Sequence, residues 1–382
     1  MLPILLVPYY IILSFLGNKI THQIGDNSNK YKIVGFKPEL SIKDAREIIE
    51  TNNIKILKDL PLINGCLCEV RDDGASIQNL AQDSRFEFIE DDYEGRLQVM
   101  PNIDFIEIQK KQEIPWGVKK IQAPVVWSKT RGRGIKVGII DSGVDVEHPD
   151  LKSNIREIGS VLDSEVLTDE KGHGTHVAGT IAALDNDIGV VGAAPEVQIY
   201  AVKAFNKSGS GNISGVIEAL DWCIQRRVDV INMSFGFFNN SKALERAIQE
   251  AHRHKITLVA AAGNFALNNI VMYPAKYPEV IAVAATTSKD KIAWFSSGGP
   301  QVDVAAPGSS VLSTYKGGGY KTDSGTSMAA PHVTATVALM LSRTRLTPAE
   351  VKGVLQNSAK DLGYSQTKQG SGLINASSAL EL

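Results

Sequence analysis

The sequence predicts an α/β protein in two parts: a small α+β domain, then a larger domain built on a mostly parallel sheet with helices on both faces. Three observations lead there. Beyond Trp116, short apolar runs (IKVGII, VQIYAVKAF, VDVINMSF, ITLVAAAG, VIAVAA) alternate with helical stretches, and strands that are apolar throughout belong to parallel sheets buried on both faces. Between Tyr31 and Asp92 the pattern instead changes every dozen residues, in the order βαββαβ. The chain is also 382 residues long, more than one average domain at roughly 150 residues each.

In chain order, Met1 to Gly17 carries no charged side chain. It is a little long for a signal-peptide core and a little short for a membrane span. The first cation is Lys19, and no cysteine is present there to carry a lipid. Residues 1–22 are therefore expected to be a signal peptide or an N-terminal membrane anchor, with export the favoured reading. In the small domain, residues 30–95, YKIVGF reads as a strand and Ser41–Glu50 as a helix, with Ser41 and Asp44 placed like a capping box. IKIL and INGCLCEV read as paired strands, Gly74–Gln82 as a helix and RFEFI as a strand. This is the split βαβ, ferredoxin-like order, with two helices on one face of a sheet. A polar, Pro-containing connection follows from Asp91 to Glu113, and residues 96–111 are expected to be a processing linker. The larger domain then runs over 112–382.

Composition excludes several classes. Forty basic against 42 acidic side chains leave a formal charge of −2, so no basic surplus exists to hold a phosphate backbone. Three cysteines make no disulfide framework and no paired CxxC zinc motif. Cys66, Cys68 and Cys223 are expected to be small buried hydrophobes.

Ligands of open α/β sheets bind beyond the carboxyl ends of the strands, and polar residues stand there. IKVGII runs into Asp141, ITLVAAAG into Asn264, and VINM into Ser234, Phe235 and Gly236. Ser327, in SGTSMAAPHV, opens a helical pattern among small residues, where a helix dipole and close substrate approach are available. His173, in GHGTHVAGT, opens another. Asp, His and Ser in that order is one arrangement of the catalytic triad. The hydroxyl needs a base to become nucleophilic, and the base needs a carboxylate to fix its tautomer. The residues alone leave His176, three positions on, as an alternative base. An α/β-hydrolase esterase is disfavoured because its GxSxG nucleophile precedes the acid.

DSGVDVEHPDL, GHGTHVAGTIAAL, INMSFG, AAAGN, YPAKYP and GTSMAAPHV, in that order, resemble the subtilisin family of serine proteases, from about Ile114 to Ala376. The small domain resembles the family's propeptide. The resemblance implies a three-layer subtilisin-like fold and a secreted, broad-specificity endopeptidase made as an autoprocessed zymogen. An intracellular or N-terminally anchored protein, or a catalytically silent binding protein, are the alternatives. By the same resemblance Asp141 orients, His173 is base and then acid, Ser327 is the nucleophile, and Asn264 lines the oxyanion hole. Ser234, Phe235 and Gly236 would form one substrate-pairing edge, and Gly209, Ser210 and Gly211 the other. Met272 would stand at the floor of the specificity pocket. The LDNDIGVVG loop would hold a structural Ca2+ through carbonyls of Leu184, Ile188 and Val190, with the side chains of Asn186, Asp150 and Gln112. The partners implied are polypeptide substrates and the chain's own propeptide as inhibitor, on a monomeric enzyme.

Overall fold

A run of buried residues, Ile33 to Phe36, makes β1 (Tyr31–Phe36) the centre of the first sheet in the computed structural model. The structure describes residues 30–70, 75–100, 111–162 and 166–381; the expected leader, residues 1–22, and most of the expected linker lie outside them. The chain divides into two units, Met1–Asp92 and Tyr93–Leu382.

In the first unit β1 is joined by β2 (Lys55–Leu60), β3 (Gly65–Glu69) and β4 (Phe86–Asp91), in the order β2-β3-β1-β4 with every neighbouring pair antiparallel. That is the ferredoxin-like order. Edge strand β2 alternates, exposing Lys55, Leu57 and Asp59. Helices Ile42–Thr51 and Ala75–Gln82 place Ala45, Ile49 and Leu80 in a core with Val34, Phe36, Cys66, Cys68 and Phe86. Ser41 caps the first helix by accepting from Asp44 N–H. The Asp44 carboxylate takes the Ser41 hydroxyl, not the Ser41 backbone N–H that a full capping box would use. All three cysteines are free and buried, and burial raises the Cys223 thiol well above its ordinary range.

The second unit begins with β5 (Glu94–Leu97), β6 (Lys136–Asp141), β7 (Ile155–Ser160) and β8 (Gln198–Lys203). It continues with β9 (Ser210–Asn212), β10 (Val230–Met233), β11 (Phe235–Gly236) and β12 (Thr257–Ala261). β13 (Val280–Thr286), β14 (Val304–Pro307), β15 (Val311–Tyr315) and β16 (Gly319–Asp323) complete the set. Seven of them form a sheet in the order β14-β13-β12-β10-β6-β8-β7, each neighbouring pair parallel. Residues 230–233, 257–261 and 280–286 are wholly buried, as a sheet covered on both faces requires. Helix His173–Ala182 packs with Thr326–Leu341, and Ile213–Gln225 with Lys242–Arg253, so two helical layers enclose the sheet. The last of these buries Ala243, Leu244, Ala247, Ile248 and Ala251, an i, i+4, i+8 stripe with its neighbours. Residues 93–100 belong to this unit: β5 pairs with both β9 and β11.

Candidate active site

β6 carries Asp141 to the carboxyl edge of the sheet, fully buried. Its Oδ1 accepts from Ser142 N–H at 2.7 Å and from His173 Nδ1 at 2.7 Å. A carboxylate at Nδ1 fixes the proton there and leaves Nε2 unprotonated, the form a general base needs. Burial opposes charge on His173, but Asp141, with Asp169 and Asp323 beyond it, outweighs that and raises its pKa. His173 Nε2 is buried with no hydrogen-bond partner. His176, the alternative base, binds two carbonyls instead, Val311 O and Lys321 O, both at 3.0 Å from Nε2. Burial pushes it down to about 4.

His173 is the first residue of its helix, and the preceding Gly172 (φ 90°) supplies no side-chain cap. Asp169 does so from outside. Its Oδ1 accepts from Lys171 N–H at 3.0 Å, Gly172 N–H at 2.7 Å and Ser142 Oγ at 2.9 Å. Its Oδ2 accepts from Thr175 N–H at 2.9 Å and Thr175 Oγ at 2.7 Å. The loop is held from its other side by Lys203, 1% exposed, whose Nζ donates to Val166 O, Thr168 O and Glu170 Oε2 at 2.8–3.1 Å.

Ser327 lies in the first turn of Thr326–Leu341, a helix with Pro331 inside it. Proline has no N–H to return to the carbonyl four residues back, and Ser327 O accepts from Ser234 Oγ at 3.0 Å. Ser327 Oγ donates to Ser234 O at 2.7 Å, and no hydrogen bond joins it to His173 Nε2. Asn264 Oδ1 accepts from Thr326 N–H and Thr326 Oγ, each at 2.9 Å. That turns Nδ2, buried and unpartnered, away from Thr326.

Beside these groups lies a length of the chain itself. β5 is sandwiched between the two expected substrate edges: Phe235 and Gly236 pair with Leu97 and Arg96, while Ser210 and Gly211 pair with Arg96 and Gly95. Leu97 N–H donates to Gly209 O at 3.1 Å, Gln98 N–H to Ser234 O at 3.1 Å, and Met100 N–H to Ser324 O at 2.8 Å. Gln98 O accepts from Ser327 N–H at 3.2 Å. A Cβ built on Gly325 would lie 2.4 Å from Gln98 O and 3.2 Å from Asn264 Nδ2, so both atoms border one small space. Met272, 3% exposed, is wedged between Gly236 and Gly263. A Cβ on Gly236 would come 2.7 Å from its Sδ, and one on Gly263 3.0 Å from its Cγ.

Three of the expected calcium-ligand oxygens gather around Gln112, and Asp150 meets Val190 through its N–H, not its carbonyl. Gln112 Nε2 donates to Leu184 O at 2.7 Å and lies 3.4 Å from both Asn186 Oδ1 and Ile188 O. Asp150 Oδ2 accepts from Val190 N–H at 2.9 Å and from the Tyr320 hydroxyl at 3.1 Å, while its Oδ1 is buried and unpartnered. Burial pushes that carboxyl up to about 6. The three oxygens converge on the Gln112 NH2 group, with an orphaned carboxylate oxygen on Asp150, and such a set suits a hard cation once the Gln112 amide is turned to present its oxygen. Among the described residues no group of three or more His, Cys, Asp or Glu gathers for a metal, so a cation here would rest on carbonyl and amide oxygens around the single carboxylate of Asp150.

Two further buried histidines are structural. His148 Nε2 meets Gly319 O at 2.9 Å, and His332 Nδ1 meets Met328 O at 2.8 Å. Asp145 accepts from Gly317 and Gly318 N–H, clasping the β15–β16 turn. Sequence reasoning missed Asp169, Lys203 and the strand in the cleft. An acid four residues before a helix-opening histidine, and a lysine at the end of an apolar strand, were the signals for the first two.

A model of the subtilase family matches residues 132–373. Subtilisin E of Bacillus subtilis (strain 168) is 39% identical over 376 residues, 96% of this chain and 94% of its own. A subtilisin of Bacillus pumilus is 46% identical over 277 residues, 71% of this chain and 100% of its own. An intracellular serine protease of Paenibacillus polymyxa is 40% identical over 304 residues, 76% of this chain and 93% of its own.

Proposed function

The chain belongs to the subtilase family of serine endopeptidases, and from that premise we propose that it is a secreted, monomeric, calcium-stabilised enzyme of broad specificity, made as a zymogen that processes itself. In this reading Ser327 Oγ attacks a peptide carbonyl while His173 Nε2 takes its proton, and Asp141 supports the imidazolium. The carbonyl oxygen, as it gains charge, is held by Ser327 N–H and Asn264 Nδ2. His173 then protonates the leaving amine, and water, activated by the same imidazole, releases the acyl group from Ser327. The observation that carries the reading is a peptide carbonyl, Gln98 O, bonded to Ser327 N–H beside the unpartnered Asn264 Nδ2. Broad specificity follows from recognition through backbone pairing on two edges, which reads few side chains.

Residues 30–95 would serve as inhibitor and folding aid, and 1–22 as the export signal or anchor. Calcium would be held by Gln112, Asp150, Leu184, Asn186, Ile188 and Val190, where it supplies loop stability and no catalytic step. The test is labelling of the purified protein by a fluorophosphonate together with hydrolysis of unfolded casein. Both are expected in the parent and neither in Ser327→Ala; a parent that does neither is a silent binding protein, and the proposal fails.

A further inference from the structure

We infer that the first bond this enzyme hydrolyses is its own Gln98–Val99, and that Phe237 selects the site by requiring glycine at position 95. The inference rests on the zymogen reading above and goes beyond it by naming the bond and the residue that chooses it.

Register identifies the bond. Gln98 N–H and O are bonded to Ser234 O and Ser327 N–H, and the chain is gripped again two residues later, where Met100 N–H meets Ser324 O. A slip of one residue in either direction would bring Glu94 or Arg96, each with a Cβ, to the place that Gly95 holds against Phe237. The carbonyl presented to Ser327 N–H and Asn264 Nδ2 is therefore that of Gln98.

Space identifies the selector. A Cβ on Gly95 would come within 2.5–2.7 Å of three atoms of the Phe237 ring, closer than packed carbon atoms approach. The ring has little room to yield. It is 1% exposed, stands edge-on to Phe235 at 6.0 Å, and its backbone is paired in both directions with Tyr273. Gly95 is not among the positive-φ glycines, so nothing in its own backbone calls for glycine; the Phe237 ring does. Arg96, by contrast, is exposed and pairs with Glu94, so it exerts no such selection.

The chemistry balances with water as the only co-reactant. Ser327 Oγ bonds the Gln98 carbonyl carbon, the C–N bond to Val99 breaks, and the serine proton passes through His173 to the Val99 nitrogen. Water then adds its oxygen to the acyl carbon, and its proton returns by way of His173 to Ser327. The products are a Gln98 carboxylate and a new amino terminus at Val99. The enzyme so released keeps residues 99–111 ahead of Gln112.

Intact mass and N-terminal sequencing of the purified full-length chain test the bond. A fragment ending at Gln98 and an enzyme starting at Val99 are expected, with Ser327→Ala left whole. Val99→Pro, which spares every hydrogen bond described for this strand, should block that cut. A first cut elsewhere, with Ser327→Ala intact, overturns the bond and leaves the zymogen reading standing. Processing of Ser327→Ala at the parent's rate, or none in the parent, overturns the zymogen reading itself. Phe237 is tested in trans, away from any folding defect in the precursor, with fluorogenic peptides Gly-Arg-Leu-Gln and Ala-Arg-Leu-Gln. The parent should favour glycine in kcat/KM by roughly ten- to hundredfold, the range that overpacking a rigid site gives. Phe237→Ala should bring the two peptides to within a few-fold. Equal rates in the parent, or a preference that survives in Phe237→Ala, overturn the role of Phe237.

Discussion

Asp169 offers a test in which damage to the fold and gain at the active site go in opposite directions. Asp169→Asn keeps the shape of the side chain, turns one acceptor oxygen into an NH2 group, and removes a charge that burial opposes and the Thr175 and Gly172 hydrogen bonds support. If the NH2 replaces Oδ2, it faces Thr175 N–H and Thr175 Oγ, which now donate to that oxygen at 2.9 and 2.7 Å. A buried N–H left unpaired costs about 1 to 3 kcal/mol, so the melting temperature should fall. The charge matters separately, because three contacts run in series from Asp169 Oδ1 through Ser142 Oγ and Asp141 Oδ1 to His173 Nδ1, at 2.9, 3.2 and 2.7 Å. They place the Asp169 charge within about 9 Å of the imidazole, where a unit charge pair is worth about 2 kcal/mol at an effective dielectric of 20 and about 0.5 kcal/mol in water. Asp169 is one of the groups that raise His173, with Asp141 and Asp323, while His176 stands on the same helix. Removing it lowers the pKa of the base, and the acid limb of kcat/KM moves to lower pH. On that limb, after scaling each enzyme to its plateau, Asp169→Asn should be about two- to 25-fold more active than the parent. The assay is a pH–rate profile on a neutral peptide substrate at low ionic strength, with folding checked at each pH. An acid limb that coincides with the parent's, in a folded variant, refutes the coupling.

Other consequences are as direct. His176 and His332 are each pushed down to about 4 by burial from an ordinary 6.5; the unfolded chain therefore binds protons first, and stability present above pH 6.5 is lost as pH falls toward 4. An acid titration of the melting temperature that is flat across that window would show otherwise. Calcium at a hundred times its dissociation constant should add about 2.7 kcal/mol, chelator should lower the melting temperature, and Asp150→Asn should remove most of the difference. Met272→Gly should open the specificity pocket, converting a preference for Leu or Met before the cut into acceptance of Phe and Tyr by about tenfold or more; a library profile of the parent already led by aromatics would contradict this. Lys203→Met strips the ammonium from three acceptors and should cost about 3 kcal/mol, measured by urea unfolding.

What was legible in the sequence was whatever periodicity or adjacency writes down locally. Apolar runs ending in Asp141 or Asn264 name strand ends, and glycines around His173 name a helix start. The cysteines at 66 and 68 share a strand face and are buried together, as expected. Illegible were features whose partners lie far along the chain. Asp169 reads as one more acid in a polar loop until Ser142 and Thr175 fold around it. Residues 96–100 read as the start of a linker because their pairing partners, 209–211 and 234–236, give no local sign of them. The clash that makes Gly95 a glycine depends on Phe237, which no local pattern links to it.

A cleft that binds substrates between β9 and β11 as it binds β5 would also select them by conformation. Both edges bond the main chain of β5, on both sides at once. A segment already in a helix or inside a sheet has spent those same N–H and C=O groups on its own fold. From Glu94 to Met100, seven residues lie extended within reach of the enzyme's backbone, so a folded protein must release a stretch of about that length before it can be cut. Among targets that carry the same residues at the cut, the rate at which this enzyme degrades a native protein should then report how often that protein opens locally. Stabilising a target's loops without touching its sequence at the cut would protect it in proportion to the opening free energy.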